Sequence, residues 1–176
     1  MKRVMIIGGS GAGKSTLARK LGEITGLPVI HGDRFQFEGN WALVPDEERN
    51  AKLDQAAMEA AWIIDGNYSQ TWPLRLSRAD TVIFIDPPRY LRMWRIISRT
   101  FRYYGRNRPD MPEGCDERFD WAFLKWTWEF DKKRRSNTLR FLETARNDKT
   151  VITLQSTRKT KEWLAKLASR NKSLSP

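Results

Sequence analysis

Cysteine and histidine are almost missing from this chain of 176 residues, which contains one of each. The single Cys115 excludes an internal disulfide framework and is typical of a reducing compartment. We interpret it as an incidental loop thiol. No apolar run approaches the roughly 20 residues that a membrane-spanning helix needs. The first apolar residues are typical of a strand rather than a signal peptide. We therefore expect a cytoplasmic protein with no membrane segment.

Acidic residues are also scarce, because 21 Asp and Glu face 32 Lys and Arg and leave a net charge of +11. This balance favours anionic partners without choosing between nucleotides, nucleic acid and phosphorylated metabolites. The hydrophobic share of 40% is globular, and the length suits one α/β domain over residues 1–176. Eight tryptophans, seven of them between Trp62 and Trp163, predict aromatic packing in the downstream core and at the substrate end.

The first sixteen residues contain the most specific motif of the chain. Residues 4–7 predict a buried strand, residues 8–15 match G-x-x-x-x-G-K-[ST], and a helical apolar pattern follows. Glycines let consecutive N–H groups turn toward phosphate oxygens, and the helix start adds its positive dipole end. We expect Lys14 to reach the β- and γ-phosphates and Ser15 to offer its hydroxyl to Mg²⁺. The residues predicted to bind ATP are Gly8, Gly9, Ser10, Gly11, Ala12, Gly13, Lys14, Ser15 and Thr16.

Short apolar runs alternate with helical patterns along the rest of the chain. The runs predict further strands at residues 27–30, 62–66, 81–86 and 150–154. Helices are predicted after residues 13, 45, 88, 135 and 158, with a Pro/Gly-rich loop at 105–117. Alternating strands and helices indicate a parallel sheet covered on both sides.

Three aspartates follow predicted strands, namely Asp33, Asp65 and Asp86. Ligands of parallel α/β sheets bind beyond the carboxyl ends of the strands, so one of the three is expected to serve Mg²⁺ opposite Ser15. Asp33 is the candidate for the acceptor side, where a carboxylate takes a proton from a hydroxyl. The only histidine, His31, is assigned a structural role at a strand end.

Arginines recur three and four residues apart on the helix predicted over residues 89–103, which places them on one side. They are Arg92, Arg95, Arg99 and Arg102. Two interpretations stay open, a solvated or nucleic-acid-binding basic face and a set of phosphate ligands; contact with phosphate is favoured for Arg95 and Arg99. The basic run of residues 132–135 is equally a second anion-binding patch or a solvated helix start.

Together these residues resemble the nucleoside-monophosphate-kinase-like P-loop proteins of the adenylate and shikimate kinase type. Asp65-Gly66 resembles the strand-three Asp-Gly of adenylate kinases, which implies that Asp65 serves Mg²⁺. Asp86-x-Pro88 followed by Arg95 and Arg99 is similar to the start of their lid. It implies that Arg95 flanks the adenine and Arg99 contacts phosphate. The resemblance implies a three-layer α/β/α fold with a five-stranded parallel sheet of order 2-3-1-4-5.

A second resemblance covers nearly the whole chain. Residues 8–16, 62–69, 108–111, 113–115 and 119–121 look like segments of the bacterial DNA topology modulation proteins (FlaR-type), a family of small adenylate-kinase-like ATPases or kinases. One departure concerns the acceptor, because Asn67-Tyr68-Ser69 stands where adenylate kinases have a Phe-Pro-Arg that grips AMP. This implies a different acceptor, for which Asn67 and Tyr68 are candidate hydrogen-bond partners and Arg75 a candidate anion contact.

These observations predict an ATP- and Mg²⁺-dependent small-molecule kinase with an unidentified acceptor. The catalytic candidates are Lys14, Asp33, Asp65, Arg95 and Arg99, and the metal ligands are Ser15 and Asp65. A lid at about residues 105–135 is expected to close and exclude water. The alternatives are a nucleotide-regulated DNA-binding protein, for which no helix-turn-helix or zinc-finger spacing is found, and a slow ATPase acting as a switch.

Overall fold

The computed structural model describes residues 1–172, apart from the side chains of residues 130–134 and 172. Seven strands and seven helices are found in this part of the chain. The strands are β1 (Arg3–Gly8), β2 (Val29–His31), β3 (Phe37–Glu38), β4 (Ala42–Leu43), β5 (Trp62–Asp65), β6 (Thr81–Ile85) and β7 (Thr150–Leu154). The helices are α1 (Lys14–Thr25), α2 (Asp33–Gln36), α3 (Asp46–Met58), α4 (Trp72–Arg78), α5 (Arg89–Tyr103), α6 (Trp121–Ala145) and α7 (Thr157–Lys172).

Five strands form one parallel sheet in the order β2-β5-β1-β6-β7. Counted along the sheet's own strands this is 2-3-1-4-5, so the predicted order is confirmed. The central position of β1 follows from its composition, because residues 4–7 are apolar and fully buried. The register aligns Ile6 of β1 with Asp65 of β5, and Asp65 with His31 of β2. The carboxyl ends of these three strands therefore meet at one edge.

The side chains of the sheet alternate between two apolar layers, as the period of two in a strand requires. Met5, Ile7, Ile64 and Val82 pack against α3 and α6 through Leu53, Ala57, Leu142 and Ala145. On the other face Val4, Ile6, Ile63 and Ile83 pack against α1 and α7 through Leu17, Ala18, Leu21 and Leu164. The expected three-layer α/β/α architecture is confirmed.

Two segments in the middle of the chain contain structure that the sequence patterns do not indicate. Residues 33–43, between the second predicted strand and the helix predicted after residue 45, contain α2 and the antiparallel hairpin β3–β4. The segment predicted as a lid at 105–135 is irregular only up to Asp120, whose side chain caps α6 by accepting from Phe123 N at 2.9 Å. Residues 121–135 are thus the first half of one long helix.

Aromatic packing is also distributed differently from the expectation. Trp62 and Trp72 lie in the core, but Trp94, Trp121, Trp126 and Trp128 are exposed. The core downstream of residue 80 is built mainly from aliphatic residues of β6, β7 and the helices over them. Within the described residues no helix has both the length and the apolar character needed to cross a membrane.

Candidate active site

The glycine-rich loop lies between β1 and α1, in the strand–loop–helix context that the motif requires. Gly8, Gly11 and Gly13 have φ of 153°, 72° and 102°, values that side chains with a Cβ rarely adopt. Ser15 is half-buried and Thr16 exposed in the first turn of α1, and Lys14 Nζ donates to its own loop at Gly9 O over 3.4 Å. This conformation, with a lysine and a hydroxyl at the helix start, fits a triphosphate.

Helix α5 packs directly on this loop through its arginines. Arg92 is buried, and a Cβ at Gly9 would overlap its guanidinium, whereas a Cβ at Gly11 would overlap its carbonyl. Arg95 Nη1 donates to Ala12 O at 2.7 Å, and its Nη2 donates to Thr157 Oγ1 at 2.7 Å. The solvated-face interpretation is therefore wrong for Arg92 and Arg95.

The end of β5 is joined to the loop by Asn67. Gly8 N donates to Asn67 Oδ1 at 3.0 Å, across 59 positions of sequence. The amide oxygen of Asn67 is thus committed to the nucleotide end, and a contact of this residue with an acceptor stays a prediction. The residue thereby couples the first glycine of the loop to the turn that follows Asp65.

Asp65 pairs with His31, to which the sequence analysis assigns a structural role. His31 Nδ1 lies 2.9 Å from Asp65 Oδ1, and the two side chains are 10% and 4% exposed. Burial by itself lowers the pKa of His31, but the hydrogen bond and the charge of Asp65 outweigh it and place the pKa above its ordinary value of 6.5. The parallel register that aligns β2 with β5 brings the two residues together, a contact that a single sequence does not show.

Two protein ligands, Ser15 and Asp65, are expected to bind Mg²⁺ at the nucleotide end of the site. Across residues 1–172, no group of three or more His, Cys, Asp or Glu forms a cluster that would hold a metal. Mg²⁺ in phosphate sites uses one or two protein oxygens together with water and substrate phosphates. A set of one hydroxyl, Ser15, and one carboxylate, Asp65, fits that chemistry.

Asp33 lies in the first turn of α2 and is held by Tyr68. The Tyr68 hydroxyl donates to Asp33 Oδ1 at 2.6 Å. Burial, followed by the charge of Asp33 and this hydrogen bond, raises the pKa of Tyr68 far above its ordinary value. The phenol therefore stays protonated and acts as a donor, which makes Asp33 the proton acceptor of the pair.

Two glycines and one arginine hold the ring of Tyr68. A Cβ on Gly32 or on Gly66 would lie 2.6 or 2.7 Å from Tyr68 Cε2, so both positions must lack a side chain. The Arg49 guanidinium lies over the ring at 4.9 Å from its centroid and pairs with Asp46 at 2.6 Å. Gly66, the glycine after Asp65, is thus required by the side chain of Tyr68.

Arg75, a candidate acceptor contact, is fully buried below the same turn. Its guanidinium donates to the carbonyls of Gly66 at 3.0 Å, Asn67 at 3.3 Å and Tyr68 at 3.2 Å. Burial lowers the pKa of Arg75 to about 10, so it remains a cation at neutral pH. The expectation that Arg75 meets the acceptor is wrong, because all three bonds fix the backbone of residues 66–68.

Arg99 lies further along α5 and contacts the segment expected to be a lid. Glu117, which is almost fully buried, lies 3.3 Å from Arg99 Nη2 and 2.6 Å from Arg108 Nε, and it accepts from Thr100 Oγ1 at 3.1 Å. Burial and the nearby Arg108 lower the pKa of Arg99 from its ordinary value. This cluster anchors residues 105–117 to α5.

The same segment also contacts the β3–β4 hairpin. Asn40 N donates to Gly114 O at 2.9 Å, and Trp41 Nε1 donates to Asp116 O at 2.7 Å. The Cys115 thiol is buried and donates to Glu38 O at 3.0 Å. Residues 105–117 therefore join the helix that packs on the phosphate loop to the hairpin that follows Asp33. They bridge the two ends of the site.

The second strand-end aspartate, Asp86, pairs with the basic run of α6. Arg135 Nη2 lies 2.8 Å from Asp86 Oδ2, beside a narrow cavity also lined by Gly8, Gly9 and Asn67. Arg135 thus pairs with a carboxylate of the protein itself, and both interpretations of residues 132–135 stay predictions. The other three side chains lie outside the described residues.

No protein-family model matches the chain, and no curated protein matches its sequence. Its structure is similar to that of the shikimate kinase from Acinetobacter baumannii in complex with shikimate, with a TM-score of 0.58. The two chains are 15% identical, and the match covers 98% of this chain and 94% of the other. The likeness shows the fold, which is the P-loop fold of the adenylate and shikimate kinase type.

Proposed function

We propose that this P-loop protein is an ATP-dependent small-molecule kinase, which transfers the γ-phosphoryl group to a hydroxyl of its acceptor. The observation that carries the proposal is the pair Tyr68–Asp33. A protonated phenol holds a half-buried carboxylate at the sheet edge that also presents the phosphate loop. Phosphoryl transfer needs these two parts, a cradle for the triphosphate and a group that takes the acceptor's proton.

The loop from Gly8 to Thr16 binds the triphosphate through its N–H groups, and Lys14 contacts the β- and γ-phosphates. The resemblance assigns Arg95, which donates to Ala12 O, to the adenine, and Arg99, which pairs with Glu117, to the phosphate. Ser15 and Asp65 would hold Mg²⁺, which when bound neutralises charge on the phosphate oxygens. These roles follow the resemblance to adenylate kinases.

Asp33 receives the proton of the attacking hydroxyl. Tyr68 occupies Oδ1, which leaves Oδ2 to accept from the substrate. As the new bond between the acceptor oxygen and the γ-phosphorus forms, the bridging bond to the β-phosphate oxygen breaks. ADP leaves with the electron pair. Tyr68 orients the carboxylate and does not itself take the proton.

The acceptor we expect is a hydroxylated compound other than AMP. The residues that replace Phe-Pro-Arg are committed, Asn67 to the phosphate loop and Tyr68 to Asp33, and Arg75 is buried under the turn. The structural neighbour binds shikimate, a hydroxy acid, so hydroxy acids are the first class to test. Sugars and nucleosides come next.

The test measures ADP release from Mg-ATP, alone and with separate pools of hydroxy acids, sugars, nucleosides and nucleoside monophosphates. Lys14→Ala serves as the control for the nucleotide end and Asp33→Asn for the acceptor end. We expect one pool to stimulate the native protein and neither variant. Turnover that no acceptor changes would contradict the proposal and support the slow-ATPase alternative.

The DNA-binding alternative receives no support from the arginine stripe. Arg92 and Arg95 pack on the phosphate loop and Arg99 pairs with Glu117, so these cations are not arrayed along a surface for a DNA backbone. Membership of the DNA topology modulation family rests on the sequence segments alone and stays a prediction.

A further inference from the structure

Helix α5 has an apolar stripe on the side away from the phosphate loop. Tyr90, Trp94, Ile97 and Phe101 are 73%, 65%, 37% and 75% exposed, and Tyr104 just beyond the helix is 67% exposed. Their spacing of four, three, four and three residues is the narrow seam by which two helices pack along their length. Aromatic side chains repeated in this spacing are costly to leave in water.

The four helix positions directly beside this seam carry no charge, and the nearest exposed cation of α5 is Arg102. Leu91, Met93, Ser98 and Thr100 border the stripe. Helix α5 contains five arginines and no acidic residue, yet four of the five are engaged within the molecule. Arg92 and Arg95 face the phosphate loop, and Arg99 pairs with Glu117. Arg89 stacks on Trp128, with its guanidinium carbon 3.9 Å from the ring centroid.

This distribution of charge selects the kind of partner. Nucleic acid and anionic membranes both require several cations beside the aromatic rings. Three of the five arginines of α5 face the protein's interior and a fourth stacks on Trp128, which leaves Arg102 as the exposed arginine beside the seam. A partner with an uncharged apolar helix face is complementary to the seam, and the seam of a second copy is such a face.

We propose that the seam binds the same seam of a second copy, with the two α5 helices antiparallel across a twofold axis. This arrangement places Ile97 near the axis and Trp94 of one copy beside Phe101 of the other, as an isologous contact requires. Trp128, also exposed and held against Arg89, extends the apolar surface at the amino end of α5.

The exposed area is sufficient for a specific dimer. An aromatic side chain buries 150–250 Å² when fully covered. Tyr90, Trp94, Phe101 and Tyr104, at 65–75% exposure, therefore offer about 500 Å² per copy. When all of it is covered, two copies together bury about 1,000 Å², the threshold for a biological interface, before Ile97 and Trp128 are counted. Such a patch also matches the largest apolar patches of monomeric proteins, which are often functional.

Sedimentation equilibrium of the full chain over the micromolar range tests the proposal. We expect a dimer for the native protein and dissociation at least about 100-fold weaker for Trp94→Glu/Phe101→Glu, since two central aromatic anchors are replaced by charges. Leu43→Glu, at another exposed apolar residue, is the matched control and should leave the dimer intact. Circular dichroism and thermal melting verify that the variants fold.

A second measurement does not depend on disruptive substitutions. Ile97→Cys is expected to form a disulfide-linked dimer on mild oxidation, because the axis brings the two copies of position 97 together, whereas Trp121→Cys is not. The native Cys115 is buried. A native protein that is monomeric at every concentration, a dimer unaffected by the double variant, or equal cross-linking of the two cysteine variants would overturn the proposal.

Discussion

The two ends of the candidate site are built in different ways. The nucleotide end is one continuous segment, residues 8–16, between a strand and the helix that follows it. The acceptor end joins side chains from separate elements, among them His31 of β2, Asp33 of α2, Asp65 of β5 and Tyr68 of the turn beyond it. A loop that wraps a phosphate with its own backbone needs consecutive residues, whereas an acceptor pocket needs side chains that converge from several strands.

The largest expected effect separates the two ends by function. Lys14→Ala should lower all ATP turnover by roughly 10³-fold. Asp33→Asn should lower acceptor-dependent turnover by about 10²-fold or more and leave nucleotide binding nearly unchanged. Steady-state kinetics with and without acceptor, together with calorimetric titration of nucleotide, measure the difference. Equal loss of nucleotide affinity in the two variants would contradict the assignment of Lys14 and Asp33 to functionally different ends of the site.

The next effect tests how tightly the acceptor end is packed. Gly66→Ala places a Cβ against the Tyr68 ring at a φ of 129°, and we expect a loss of about 2 to 3 kcal/mol in the free energy of unfolding. Gly26→Ala is the matched control, because its φ of 73° is also strained but no atom lies within 4 Å of the added Cβ. It should cost about 1 kcal/mol. Urea titration of both variants provides the comparison, and equal losses would show that the Tyr68 contact contributes nothing.

A smaller effect isolates the Tyr68 hydroxyl. Tyr68→Phe keeps the ring between its glycines and Arg49 but removes the donor to Asp33 Oδ1. A hydrogen bond to a charged group contributes about 1.5–3 kcal/mol, so kcat/KM should fall by roughly 10-fold or more through kcat. An unchanged kcat combined with a raised KM would mean that the hydroxyl contacts the acceptor instead of orienting Asp33.

The smallest effect concerns pH. Because the pKa of His31 is raised by Asp65, its contribution to stability is fully present below its unfolded value of 6.5. That contribution is lost as the pH rises through the higher folded value. Native protein should therefore lose stability relative to His31→Gln as the pH increases across this window. Unfolding free energies of both proteins on either side of pH 6.5 measure this, and parallel profiles would contradict the pairing.

The elements predicted from sequence were those with a clear period or a specific motif. The five sheet strands are short apolar runs, and α5 has apolar and basic residues at helical spacing, so its bounds were predicted to the residue. The helix α2 and the strands of the hairpin have four and two residues, too few to show a period. The continuity of α6 through its aromatic and basic segments was missed, because exposed tryptophans do not look like the solvent face of a helix.

The arginine stripe shows the limit of such patterns most clearly. Spacing places Arg92, Arg95 and Arg99 on one side of α5 and the aromatic residues on another, but it does not say which side faces inward. Hydrophobicity alone would bury the aromatics. In the folded protein, loop carbonyls and Glu117 provide partners for the guanidinium groups, and it is the apolar side that is exposed.

The sequence by itself determined the phosphate loop and the parallel sheet, because each depends on local residue types or on an apolar pattern that water enforces. The order of the strands came from the resemblance to adenylate kinases. Only the tertiary structure decided that His31 pairs with Asp65, that Tyr68 holds Asp33, that Arg75 is buried below the turn, and that the aromatic side of α5 faces solvent. These contacts join residues that lie far apart in the chain. Their energies depend on distance and burial, which no single segment encodes.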